Sequence, residues 1–82
     1  MKIQEISFPL GLGIADELLI VVSNGIAYYK LIDTSKMVVE KEGKKTGHKI
    51  LYSDTLVLSE EQQNLETVNN IIINLLGVTV IE

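Results

Sequence analysis

Asn24-Gly25 is the feature that most narrows what this chain can fold into. The pair sits between two β-rich runs, Glu17 to Ser23 and Ile26 to Asp33. Asn and Gly accept the two successive positive φ angles of a type I′ turn, and the twist of that turn matches its flanking strands. The two runs therefore read as an antiparallel hairpin. Before it, Lys2 to Phe8 reads as a strand that stops at Pro9, which cannot donate to a sheet ladder. Pro9-Leu10-Gly11-Leu12-Gly13 reads as irregular. After it, Asp33-Thr34-Ser35 reads as another turn and Met37 to Glu42 as the third run of a meander. Lys49 to Ser53 and Leu56 to Leu58 complete the β pattern, with a bend or bulge at Asp54-Thr55.

The pattern then changes period. Ser59 and Gln62 fit a capping box at the start of a helix, with Glu60 and Glu61 at the positive end of its dipole. Leu65, Val68, Ile72, Leu75 and Leu76 recur at helical spacing, and Gly77 is placed to end the helix in the left-handed conformation. Val78 to Ile81 reads as a closing strand, its crossover right-handed if it lies beside a parallel neighbour. The fold class expected is α+β: a mostly antiparallel β-meander sheet with one C-terminal amphipathic helix followed by a final short strand. Residues 1–82 form a single small domain.

An 82-residue chain buries only about 60–65% of the surface its unfolded form exposes. It has no cysteine, so neither disulfides nor thiolate-bound metal can reinforce it, and association with another chain is the usual remaining support. The apolar load agrees, with 46% hydrophobic residues. Leu18-Leu19-Ile20-Val21-Val22 puts aliphatic groups on both faces of a strand, where a sheet with one wet face alternates. On the helix, at ~100° per residue, Ile71 to Ile73 widen the apolar arc to roughly 200°. Asn69 lies inside that arc, where a polar group needs a partner and can fix the register of an interface. Adjacent Tyr28 and Tyr29 point to opposite faces, so one of them turns away from the helix-packed side. A homo-oligomer is expected, with Leu19, Val21, Tyr29, Asn69, Ile71 and Ile73 as candidate self-association residues.

Charge and motifs exclude several functions. The net charge is −4 and all seven basic residues are lysines. Without arginine's bidentate fork and a basic footprint, sequence-specific nucleic-acid binding is disfavoured. The polar start lacks the apolar run of a signal peptide, and Leu18 to Val22 is far short of the ~20 residues that span a bilayer. Neither a membrane nor a nucleic acid is expected as a partner, and the expected location is the cytoplasm. Gly11-Leu12-Gly13 lacks the third glycine of a dinucleotide loop and the Gly-Lys-Ser/Thr of a Walker loop.

Positive charge concentrates in one stretch, where Lys44, Lys45, Thr46, His48 and Lys49 are candidate contacts for an anionic ligand. His48 has no serine elbow to make it a catalytic base, and Glu40 and Glu42 read as the wet face of a strand rather than as its co-ligands on a metal. No catalytic residue, metal or cofactor is assigned. The expected function is a non-catalytic, self-associating binding protein that occupies a partner protein, such as a host protein, or sequesters a small anionic ligand. Its size, with an Ile-, Lys- and Asn-rich composition, suits a phage or mobile-element accessory or inhibitor protein. The alternatives are a small enzyme whose site is completed at a subunit interface, or a structural subunit of a larger assembly.

Overall fold

Asn24 at φ 51° and Gly25 at φ 75° close the two-residue turn, and Ser23 pairs with Ile26 across it. The structure is a computed structural model that describes residues 1–7, 13–39 and 46–81. Four strands, β1 (Lys2–Ser7), β2 (Ile14–Ser23), β3 (Ile26–Val39) and β4 (Thr46–Val57), form one antiparallel sheet in the order β1-β2-β3-β4. The helix α1 (Leu65–Leu76) follows, so the α+β meander is the architecture observed.

Asp33-Thr34-Ser35 is not a turn. β3 runs through it for 14 residues, and Met37 continues that strand rather than starting another. The register shows why: Asp33 pairs with Lys49 and Met37 with His48, leaving Thr34, Ser35 and Lys36 as a bulge. Asp, Thr and Ser bond nearby backbone amides in turns and in bulges alike, so their presence alone does not separate the two. β4 is likewise continuous through Asp54-Thr55, and its bulge falls instead at Leu51, between the partners of Leu31 and Ile32.

The helix starts later than its capping box suggests. Ser59 and Gln62 close only one 3₁₀ turn, Glu60–Gln62, in which Gln62 Oε1 accepts from Ser59 N at 3.1 Å. Asn64 caps α1, its Oδ1 accepting from Glu66 N at 2.9 Å and Thr67 N at 3.3 Å. Gly77 ends it at φ 69°, its N–H bonded to Ile73 O at 2.9 Å. Beyond it, Val80 makes one antiparallel bridge to Ile3, flanked by Gln4 N to Thr79 O and Ile81 N to Lys2 O, each 2.8 Å. This is a single bridge on β1 rather than a full strand.

α1 covers one face of the sheet. Val68 and Ile72 meet Leu18 and Leu31 in the core, the four largest fully buried side chains. Each such burial contributes about 2 kcal/mol. Ala15 and Ala27 are also fully buried, small enough to let neighbouring layers approach. Tyr29 lies on this side at 3% exposure, its ring centroid 6.5 Å from that of Tyr52.

β3 and β4 outrun the rest of the sheet. The β2–β3 pairing ends at Glu17–Ile32, so from Asp33 to Val39 the described partner of β3 is β4 alone. A 14-residue strand at ~3.3 Å per residue is about 46 Å long. The 42 Å long axis of the molecule is therefore close to the length of β3.

Candidate functional site

Among the described residues, three places offer chemistry: the base of the β3–β4 arm, a groove beside α1, and the sheet face opposite the helix. At the arm, Asp33 is 5% exposed, and its Oδ1 accepts from Ser35 N at 2.9 Å and Ser35 Oγ at 2.5 Å. Asp16 on β2 grips the same bulge, its Oδ1 accepting from Thr34 N at 2.9 Å and its Oδ2 from Thr34 Oγ1. The Thr34 hydroxyl bond, followed by the Thr34 amide bond, holds the Asp16 carboxyl below its ordinary value. Glu5, Ile14 and these two aspartates line a small cleft of about 120 Å³. Asp16 accepts through both oxygens and Asp33 through Oδ1, all from the chain's own donors, and the Asp16 bonds clamp the base of the arm to β2.

Gly13 belongs to the same corner. At φ 135° it has a backbone conformation that side chains resist, and an added Cβ would lie 3.3 Å from Leu51 Cδ2. A conformational requirement thus accounts for the second glycine of Gly11-Leu12-Gly13; the first lies outside the described residues.

Because its folded pKa is lowered, the Asp16 carboxylate contributes stability above its unfolded value near 3.8, and loses it as pH falls through the lower folded value. Melting temperature is expected to drop from pH 5 to pH 2.5, and Asp16→Ala should flatten part of that drop. Asp54 is lowered too, by the Thr55 amide and then the Tyr52 hydroxyl, so some acid sensitivity remains in the variant. Thermal melts across that range check this, and equal pH slopes for the two proteins would remove the clamp.

Of the lysine-rich candidates, Lys44 and Lys45 lie outside the described residues, as do Glu40 and Glu42. Thr46 opens β4 opposite Val39. His48 is exposed opposite Met37, and Lys49 is half-buried opposite Asp33. The arm therefore carries His48 and Lys49 past the body of the sheet, on the strand that follows residues 40–45. Among the described residues, no three His, Asp or Glu side chains gather as metal ligands.

The self-association candidates divide between opposite sides of the molecule. Asn69 and Ile73 line a groove of about 600 Å³ with Met1, Leu65, Glu66 and Val80. Asn69 Oδ1 is buried there without a hydrogen-bond partner, and Ile71 is half-buried on the same helix. Tyr29 is in the core, so it contributes to no exposed surface.

Leu19 and Val21 lie on the face away from α1. Pairing across the hairpin sets Leu19 beside Lys30 and Val21 beside Tyr28, and these four residues enclose a shallow hollow of about 300 Å³. Val21 is 61% exposed and Val57, further along the face, 77%. Tyr28, Lys30 and Val57 were not foreseen as part of this surface. The two-residue turn carried the signal for the first two, since it forces Val21 opposite Tyr28 and hence Tyr28 onto the face of Leu19.

Among the described residues, no helix is long and apolar enough to cross a membrane. No protein-family model matches the chain, and comparison with curated proteins and with solved structures gives no match.

Proposed function

We propose that the protein is a non-catalytic, self-associating binding module of the cytoplasm, and that the sheet face opposite α1 is its working surface. One observation carries this reading: Leu19, Val21, Tyr28 and Val57 stand exposed together on a face that a solvated sheet would make polar. Contiguous apolar surface of this kind on a small chain marks an interaction site. Tyrosine suits such a site, offering a rigid apolar body with a polar tip. The non-catalytic part is supported by the described carboxylates with lowered pKa, Asp16 and Asp54, which hold the chain's own amide and hydroxyl donors. Lys49 and His48, on the arm, are the described residues of a second surface suited to an anionic group.

Size exclusion coupled to light scattering at low micromolar concentration tests the reading. A mass above that of the 9.1 kDa chain is expected. A monomer mass would overturn it.

A further inference from the structure

The outer face reads nearly the same in both directions along each strand. On β2 it shows Glu17, Leu19, Val21 and Ser23, polar at the ends and apolar in the middle. On β4 it shows Ile50, Ser53, Thr55 and Val57, apolar at the ends and polar in the middle, with the Leu51 bulge keeping Ile50 on this side. On β3, Lys30 and Tyr28 stand exposed between Ile26, which is half-buried, and Ile32, which is buried. The centre of this pattern falls between the row Leu19–Lys30–Ser53 and the row Val21–Tyr28–Thr55.

Resting on the proposal above, we infer that the occupant of this face is a second copy of the chain, related by a two-fold axis that runs parallel to the sheet and across its strands, over that centre and midway between the two stacked sheets. Such an axis makes an isologous interface, in which each contact occurs twice. It lays Leu19 over the partner's Val21 and Ser53 over the partner's Thr55, so apolar meets apolar and polar meets polar. It also lays the Lys30 ammonium over the partner's Tyr28 ring, where the π face attracts a cation. Glu17 falls opposite the partner's Ser23, clear of any like charge. The other simple choice, an axis along β3, stacks Lys30 on itself and is disfavoured by repulsion. The result is a two-sheet sandwich with its layers ~10 Å apart and the shallow hollows of the two copies facing each other.

A charge exchange tests the arrangement. Leu19→Lys and Val21→Glu each place a charge against an apolar residue of an identical partner, so each variant alone should run as a monomer. Mixed in equal amounts, they should return to about twice the 9.1 kDa chain mass, because the new lysine then faces the new glutamate while the other contact stays apolar. If the wild type is a dimer and the mixture stays monomeric, the axis is wrong although self-association stands. A monomeric wild type removes both. Should either variant lose its β-sheet circular dichroism, Ser53→Lys and Thr55→Glu, at exposed positions on β4, repeat the exchange across the same axis with the same expected recovery.

Discussion

Ile72→Ala should lower the melting temperature by roughly 12–25 °C, as befits one of the four largest fully buried side chains among the described residues. Ile72 is fully buried on the helix face that meets the sheet, in one cluster with Leu18, Leu31 and Val68. Removing its outer carbons loses their transfer free energy and leaves a cavity that a short helix, held between Asn64 and Gly77, can only partly collapse. Buried aliphatic-to-alanine changes cost about 2–5 kcal/mol, and the absence of exposure at this site argues for about 3 kcal/mol. A domain of this length has a total stability of about 4–12 kcal/mol, so a large share disappears. Leu75→Ala serves as the control: Leu75 is 60% exposed on the same helix and should stay within about 0.5 kcal/mol of wild type. Equal melting temperatures for the Ile72 and Leu75 variants would mean that α1 does not pack as described.

Gly25→Val should come second, with a loss of about 2 kcal/mol and a fall of roughly 8–16 °C. At φ 75° a side chain crowds its own backbone, and a β-branched one does so most. The new Cβ would also sit 3.3 Å from the Gln63 Nε2, a flexible group that can move, so the backbone term dominates. Gly25→Asn separates the two causes, because asparagine tolerates positive φ and should recover much of the loss. A valine variant that melts like wild type would be incompatible with the type I′ turn.

The parts of this fold readable from sequence were those fixed by one or two residues with narrow conformational preferences. Asn24-Gly25 gave the central hairpin and Gly77 the end of the helix, because few other conformations suit those residues. The parts misread depend on tertiary partners. Asp33-Thr34-Ser35 becomes a bulge rather than a turn because Asp16, on another strand, supplies acceptors for Thr34. Ser59 and Gln62 form their local bond but propagate only a single turn, and the stronger cap is Asn64, which bonds two amides. For the candidate surface, the excess of aliphatic residues in Leu18 to Val22 was visible, and the register that Asn24-Gly25 imposes already sets Tyr28, not Tyr29, on the face of Leu19. Val57 was hidden for a different reason: nothing in the sequence fixes the β3–β4 register that sets Val57 opposite Ile26.

The single bridge between Ile3 and Val80 is the contact of this fold that costs most chain entropy to close. The β2–β3 hairpin closes over a two-residue loop and needs nothing else in place, so its ladder is available within microseconds of collapse. The bridge joins residues separated by nearly the whole chain, so its closure is least costly once the sheet is laid down and α1 has crossed it. Its closure entropy is reduced by every element already docked, since the effective loop shrinks as structure accumulates between its ends. Short-range pairing first and end-to-end pairing last is a zippered route. It gives a protein whose latest-forming contact, the seam of β1 with residues 79–81, is also the first that a fluctuation can undo.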